Sequence, residues 1–562
     1  MDLKQSILKY TLQNAIKYKG KANPGNVIPK LIHEDPSIRK DMKQVAQEVA
    51  KVVQEVNKLS LEEQTNQLQE LAPELLEDKP KEKKQLKELD FVDRKKGVIM
   101  RFAPSPSGPM HLGHAITGGL TAVYVKKYGG KFILRIEDTN PDNIYSPAYE
   151  LLPKDAEWLF GKVEVWIQSD RLNIYYDYVE KLLTLAKVYV CTCDPEDFRT
   201  CVKEQADCPC RELTLNEHKK RWDKMFKEYE QGEAVLRFKS DMKDKNPAMR
   251  DFPLARINDS EHPRQGKKYR VWPLMNLSVT VDDIEAGMTH IIRAKDHEDN
   301  AKRQKLIFKA LDFDYPHSYF TGRYKFKDLE ISCSKTKEKI AEGKFDGWED
   351  IRLPFIGSLR RRGYQAEAFL NYTKEIGISN VDKVVEGTEF FKHLANLNRE
   401  ILDKDTHRYF FVKDPVKIHI ENTPNLSIKL KLHPEFPEKG YRQFNTSNEF
   451  YISKEDFDNL QDNHMYRLMD CLNFKKQGIK FTFISESVED FKKQGKSVLH
   501  WLPLSNLTKT EVLMPDKTLV KGFSEPLTNN LKEGTIVQFE RFGFCRLDKS
   551  EPDRLLFWFG HK

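Results

Sequence analysis

Two histidines three positions apart, His111 and His114, flank Gly113 in the run MRFAPSPSGPMHLGH that extends from Met100 to His114. A strand that passes through a turn of Pro, Ser and Gly into a helix points unpaired N–H groups and a positive dipole end at the turn, which suits a polyphosphate. Gly113 would let a nucleotide approach the backbone, and both imidazoles can donate to phosphate oxygens. A second run, ISCSK from Ile331 to Lys335, lies 220 positions after His111 in a stretch rich in Gly and Lys. A Lys335 in a loop beside a nucleotide would neutralise charge that builds on a phosphoryl group. Cys333 in the same loop has no histidine linked to it by a motif and reads as a packing residue. Singly, each run also fits an ordinary helix start or a solvated loop; together they point to phosphoryl chemistry.

Five of the eight cysteines, Cys191, Cys193, Cys201, Cys208 and Cys210, fall within twenty positions. Two Cys-x-Cys pairs, Cys191 with Cys193 and Cys208 with Cys210, are separated by fourteen residues. Four thiolates so paired can close a tetrahedral zinc site, with Cys201 as bystander; free thiols are the plain alternative.

The elements that position these groups follow from the pattern. VIMRFAP reads as a buried strand, His111 to Lys127 as a helix and KFILRIED as a second strand. Helices over Pro147 to Phe160 and Asn173 to Leu185, with a strand around Val165 between them, continue the alternation. A parallel sheet with covering helices is the expected core. The cysteines interrupt it, and it resumes with YRVWPLMNLSVTVDD, the strand MTHIIRA and a helix over Asp299 to Leu311, so an insertion is expected at about 187 to 268. Gln365 to Leu402 looks helical. Beyond 406 short strands such as VKIHIEN, KFTFI and LLFWF suggest β-barrels or sandwiches. The first 96 residues read as a charged helical region with a thin core, in which Val45, Val49, Val52, Val53, Val56 and Leu59 form one stripe, followed from Glu77 to Lys96 by a charged linker.

Composition bounds the rest. At 562 residues the chain needs several cores, and 39% hydrophobic residues with 33 Phe, 21 Tyr and 7 Trp exclude a disordered polymer. The net charge of +7 hints at nucleic acid without deciding it. No apolar run approaches a membrane span and the opening lacks a leader pattern, so a cytoplasmic protein is expected.

HLGH (His111 to His114) and SCSKT (Ser332 to Thr336) resemble the two signatures of the class I aminoacyl-tRNA synthetases. RIEDTNP (Arg135 to Pro141), VDDIEAGMTHIIRAKDH (Val281 to His297), LPFIGSLRRRGY (Leu353 to Tyr364), DPVKIHIEN (Asp414 to Asn422) and the ending VKGFSEP through ERFGFCRLDKS resemble segments of the archaeal-type glutamyl-tRNA synthetases, close relatives of the glutaminyl enzymes. The likeness covers residues 97 to 562. It implies a Rossmann catalytic domain over 97–311 split by an acceptor-binding insertion at about 187–268, an SCSKT loop and helical stem-contact region over 312–405, and anticodon-binding β-barrels over 406–562.

For the site, the resemblance implies a glutamate pocket of Arg101 for the side-chain carboxylate, Glu137 for the amino group, Arg293, and the Ser105 hydroxyl. It implies an ATP site of Gly108, His111, Gly113, His114, Asp296, His297, Ser334 and Lys335, with Mg²⁺ accompanying ATP. His111, His114 and Lys335 would stabilise the charge as the glutamate carboxylate attacks the α-phosphate, before the 2′-hydroxyl of the tRNA takes the acyl group. Some related synthetases bind zinc at the place of the cysteine pairs. Arg360, Arg361 and Arg362 would meet tRNA, since three adjacent arginines cannot all face a core. Two departures stand out: Met275 occupies the place of a pocket Tyr, and Ser332 that of the first Lys of the second signature. The expected partners are ATP, L-glutamate and tRNA(Glu), with tRNA(Gln) as a further acceptor in a relaxed enzyme, no membrane, and a protein or RNA partner for the N-terminal region. The alternatives are a glutaminyl enzyme, against which SPSG speaks, and a non-catalytic RNA-binding relic, against which the intact signatures speak.

Overall fold

The computed structural model describes residues 3–18, 20–76 and 86–562. Contacts divide the chain into two compact units, Met1–Gln85 and Leu86–Lys562. Of the linker expected from Glu77 to Lys96, residues 77–85 lie outside those described.

The first unit is helical: α1 (Leu3–Lys17), α2 (Pro24–Glu34), α3 (Met42–Val56) and α4 (Leu61–Leu71). The valine stripe works as its spacing requires, with Val45, Val49, Val53 and Val56 buried against Ile7, Leu12, Val27, Leu31 and Leu68. Ser60 and Glu63 form a reciprocal capping box that starts α4.

The second unit begins earlier than Gly97. Leu89 N–H donates to the Tyr128 hydroxyl, the Tyr124 hydroxyl donates to the Lys87 carbonyl, and Asp90 N–H donates to the Tyr319 hydroxyl. The segment read as the end of a linker is therefore a strap over the sheet. β1 (Val98–Phe102), α5 (Leu112–Tyr128), β2 (Gly130–Ile136), α6 (Ala148–Phe160), β3 (Glu164–Ile167) and α7 (Leu172–Thr184) follow in alternation. β1 pairs in parallel with β2, and β2 with β3.

Four antiparallel strands then form a separate sheet, β4 (Val188–Cys191), β5 (Val235–Phe238), β6 (Pro253–Ile257) and β7 (Val271–Pro273), interrupted by α8 (Pro195–Glu204) and α9 (Leu215–Met225). This sheet runs to Pro273, beyond the boundary expected near 268, because Val271–Pro273 pairs with β6. The insertion shares one core with α7 and with the next helix, α10 (Met275–Glu285): Tyr175, Leu182, Trp222, Leu236, Trp272 and Leu277 pack together.

β8 (His290–Ala294), α11 (Glu298–Ala310) and β9 (His317–Thr321) complete the α/β part, with β8 and β9 parallel. Thr289, just before β8, donates its N–H to the Ile99 carbonyl at 3.0 Å, and its hydroxyl accepts from Ile99 N–H. β8 thus continues the sheet beside β1, and the order β3-β2-β1-β8-β9 reverses direction between β1 and β8. In open parallel sheets ligands bind at the carboxyl ends of the strands flanking such a reversal.

After the parallel pair β10 (Tyr324–Phe326) and β11 (Lys383–Val385) the chain is mostly helical: α12 (Cys333–Ala341) and α13 (Ile356–Arg361) precede α14 (Ala366–Ile376), and α15 (Gly387–Leu402) follows β11. SCSKT is not a loop: Ser332 caps α12, its hydroxyl accepting from Lys335 N–H. Leu359, Phe369, Phe390 and Leu394 from these helices join Leu112, Ile116 and Leu152 in one core.

The last part holds two seven-stranded sheets, one nested in the other along the chain. The outer takes His407–Tyr409 and Phe411–Lys413 from its beginning and five strands from 508–561. The inner is built from 415–503. Phe411 lies on the last strand of the outer sheet's order and Phe539 on the second, yet their rings are 5.1 Å apart, so this sheet curls onto itself as a barrel does. Among the described residues no helix is long and apolar enough to cross a membrane.

Candidate functional site

At the reversal between β1 and β8 a cavity of about 170 Å³ is lined by Arg101, Glu137, Met275, Arg293 and His297, with Thr117 of α5 beside them. Arg101 is the fourth residue of β1 and Arg293 the fourth of β8, while Glu137 follows the last residue of β2. These positions lie at the carboxyl ends of their strands, where the chain turns over the cleft and the neighbours Phe102, Ala103, Ile292 and Ala294 line it as well.

Arg101 does not pair with Glu137. Its Nε and Nη2 donate to the two oxygens of Asp283 on α10, at 2.7 and 3.2 Å, leaving Nη1. Arg135 donates Nη1 to Asp283 at 2.6 Å and Nη2 to Glu137 at 3.1 Å. Burial opposes the charge on Arg135, but Asp283, Glu137 and Asp282 outweigh it and raise its affinity for the proton. Arg293 donates to Gln304 at 2.8 Å, and its buried Nε has no partner. Burial, and next the nearby Arg101 charge, push the Arg293 guanidinium below its usual range. Four guanidinium groups, Arg101, Arg135, Arg171 and Arg293, thus meet the three carboxylates Asp282, Asp283 and Glu137, one cation in excess. Such a cleft favours a ligand of net negative charge that also carries a cation for Glu137. Asp282, the neighbour of Asp283, stands 3.8 Å from Arg135 Nε and accepts hydrogen bonds from Gln168, Arg171 and Tyr175. Neither aspartate was singled out from the sequence, although both sit in the VDD run; two adjacent acidic residues in an apolar helix were the available signal.

Met275 begins α10 at the cleft wall, its Sδ 3.7 Å from Asn300 Nδ2. His297 lines the cleft; burial and then Arg293 lower its pKa. Asp296 turns outward to an ion pair with Arg323 at 2.5 Å. Ser105 is exposed in the turn, outside the cleft lining.

The helix start at His111 is arranged differently from the expectation. The ring is itself the N-cap: Nδ1 accepts from the N–H groups of Gly113 at 3.1 Å and His114 at 3.4 Å. A Cβ on Gly113 would lie 2.9 Å from His111 Cε1, so this glycine makes room for the imidazole. The His111 and His114 rings stack at 3.7 Å. Burial lowers His111 to about 4, and burial, with the neighbouring His111 second, holds His114 well below the usual imidazole range. Both are neutral at pH 7. With Nδ1 accepting, the proton of His111 sits on Nε2, which remains a donor.

The second signature packs onto this loop. A Cβ on Gly108 would meet Cys333 Sγ at 3.0 Å, Cys333 approaches the Pro109 carbonyl at 3.8 Å, and Ile356 N–H donates to the Met110 carbonyl. Burial raises the Cys333 thiol, in keeping with a packing residue. Ser334 is exposed on the same turn. Lys335 is exposed as well and pairs with Glu330 at 3.3 Å, within its own segment.

Arg361 and Arg362 need correction as free phosphate contacts. Arg361 is bidentate to Asp548 at 2.7 and 2.8 Å, and Arg362 donates to the carbonyls of Phe559 and Gly560. Both fasten α13 to the outer barrel. Arg360, 3.8 Å from Glu349 and beside Trp158, is the least committed of the three. All three stay partly exposed, as adjacent arginines must, but the barrel supplies Arg361 and Arg362 with acceptors from residues distant in sequence.

Cys191, Cys193, Cys208 and Cys210 converge, all four Sγ atoms within 4.8 Å of one another. The closest pairs are 3.3, 3.6 and 3.7 Å apart. Four sulfurs at Zn–S bonds of about 2.3 Å in a tetrahedron stand about 3.8 Å apart, so the donor set fits zinc. Arg221 donates to Cys210 Sγ at 3.2 Å, an arrangement suited to a thiolate. Cys201 stands outside the cluster.

The sheet order, the capped histidine and the charged cleft define a class I aminoacyl-tRNA synthetase. Residues 97–403 match the catalytic domain of the class I tRNA synthetases for E and Q, and residues 406–492 and 498–548 match their anticodon-binding domains; the chain belongs to this family. Among its relatives are proteins named glutamate–tRNA ligase from Methanosphaera stadtmanae, 40% identical, and Methanocaldococcus jannaschii, 41% identical. A third, from Pyrococcus furiosus, is 42% identical. Each alignment covers 100% of both chains.

Proposed function

We propose that this chain is a glutamate–tRNA ligase. It activates L-glutamate with Mg·ATP as glutamyl-adenylate and transfers the glutamyl group to the 2′-hydroxyl of the terminal adenosine of tRNA(Glu), in the cytoplasm. The observation that carries the reading is the cleft of Arg101, Arg293 and Glu137 at the strand reversal, with its one excess cation. Glutamate brings two carboxylates and an ammonium, the inverse of that set, and its net charge is opposite.

Arg101 Nη1 and the unpartnered Arg293 Nε bind the side-chain carboxylate, and Glu137 the ammonium. Ser105 lies at the rim, and Met275 forms an apolar wall in place of a hydroxyl. The α-carboxylate attacks the α-phosphorus in line and pyrophosphate leaves. His111 and His114 serve as neutral donors and not as cations, His111 through Nε2. Gly108, Gly113 and Ser334 shape the ATP site, with Asp296 and His297 toward the adenosine. Lys335 exchanges Glu330 for a phosphate oxygen as charge develops. The tRNA 2′-hydroxyl then attacks the mixed anhydride and AMP leaves.

The insertion meets the acceptor end, 312–405 with Arg360 the inner arm, and the paired barrels of 406–562 the anticodon. Zinc bound by Cys191, Cys193, Cys208 and Cys210 cross-links the end of β4 to the loop after α8. Its contribution is structural.

The test is charging of purified tRNA(Glu) and tRNA(Gln) with radiolabelled glutamate or glutamine in the presence of Mg·ATP. Glutamate on tRNA(Glu) is expected; glutamate on both tRNAs would make the enzyme a relaxed one. Glutamine charging, or none at all, overturns the proposal.

A further inference from the structure

Asp283 is fully buried, and its two oxygens take three donors, Arg101 Nε and Nη2 and Arg135 Nη1. Arg135, with 1% of its side chain exposed, reaches onward to Glu137 Oε1. The Arg101 guanidinium directly, and the Glu137 carboxylate through Arg135, are therefore both tied to Asp283. Nothing local supplies this tie, since Asp283 lies 182 positions from Arg101 and 148 from Arg135. A buried guanidinium without a carboxylate would turn toward whatever acceptor remained. Asp282, equally buried and next in the chain, stands 3.8 Å from Arg135 Nε but takes its hydrogen bonds from Gln168, Arg171 and Tyr175, which tie α10 to the segment that starts α7.

We infer that Asp283 is a positioning residue that aims Arg101 directly and Glu137 through Arg135, and so sets both the affinity for glutamate and its preference over glutamine. The inference rests on reading the cleft as the glutamate pocket. Glutamine offers no side-chain anion to the excess guanidinium, so discrimination depends on how rigidly Nη1 of Arg101 is held. Asp283 also cancels one of the positive charges; without it the cleft gains a second unpaired cation and loses the geometry that makes that charge selective.

Two variants test this in steady-state charging of tRNA(Glu), with glutamate and ATP varied separately. Asp283→Asn removes the charge and one acceptor. Arg135→Lys keeps the charge but cannot span Asp283 and Glu137 at once. Each is expected to raise KM for glutamate about tenfold or more, to narrow the glutamate-over-glutamine ratio of kcat/KM, and to leave KM for ATP unchanged. A merely structural role would move both KM values together or neither. If Asp283→Asn gives no soluble protein, Arg135→Lys decides. Active variants with the wild-type KM for glutamate, or with glutamate and ATP affected alike, overturn the inference and leave the function standing. A wild-type chain that charges no glutamate overturns the function, and the inference with it.

Discussion

His111 uses one ring nitrogen as a helix cap and leaves the other for a ligand, which separates two effects that a histidine substitution usually mixes. Asn is among the best N-caps, so His111→Asn keeps an acceptor for Gly113 and His114 while losing the Nε2 donor. Its Tm is expected to stay near wild type while kcat falls about 100-fold. His111→Ala loses the cap as well and costs about 1 kcal/mol of stability on top of the same loss of kcat. Urea melts and charging kinetics on both variants check this; equal stability of the two would remove the cap from the account. The pH dependence has a definite sign. His111 is lowered to about 4 by burial from a usual 6.5, so the folded chain holds this proton less tightly than the unfolded one. Its contribution to stability is present in full above about pH 6.5 and is lost as pH falls toward 4, where protonation of Nδ1 would break the cap.

At the scale of elements, the four-cysteine cluster joins the end of β4 to the loop between α8 and α9 and leaves the parallel sheet untouched. Cys208→Ser is expected to lower zinc from one equivalent to well below one and to open 192–212 to protease, while KM for glutamate holds. Metal analysis and limited proteolysis read this. A variant that loses no zinc, or wild-type protein that carries none, would end the zinc proposal. Which elements were legible in the sequence follows from how local their causes are. The helix starts, the valine stripe of α3 and the alternation of β1, α5 and β2 depend on neighbours within a few positions. The cysteine pairs were legible because thiols so clustered have few other uses. Asp283, Arg361 and Arg362 were not, because their partners lie 182, 187 and 197 positions away. Charge and hydropathy along the chain cannot announce that a barrel strand will arrive beside an arginine run.

For the whole molecule the same limit appears in its boundaries. The change of texture at Gly97 put the start of the catalytic part there, yet Leu86 to Phe91 belongs to it. Leu89 is 6% exposed and shares a small core with Val98, Met100, Leu120 and Tyr124. The carbonyl of Asp90 accepts from His290 Nε2 at 2.9 Å, and the hydroxyls of Tyr124, Tyr128 and Tyr319 each bond to this strap. A charged stretch conceals it, because beside one buried leucine the contact is made by backbone groups, by Glu88 with Lys127 and Tyr128, and by Phe91 stacked on His317, none of which forms a periodic apolar pattern. Every cleft residue lies within 86–562, and that unit has its own cores. A chain beginning at residue 86 is therefore expected to keep the wild-type KM for glutamate and for ATP. A chain beginning at residue 97 loses the strap, uncovers the outer face of β1 and α5, and should be less stable than the first by about 2 kcal/mol or more, from one leucine's burial and several hydrogen bonds. Chemical melts of the two truncated chains side by side measure the difference. If they melt together, the strap contributes nothing and the boundary at Gly97 stands. If the chain from residue 86 loses affinity for either substrate, the helical N-terminal unit takes part in the site, and the division of the molecule into a catalytic unit and an appendage must be redrawn.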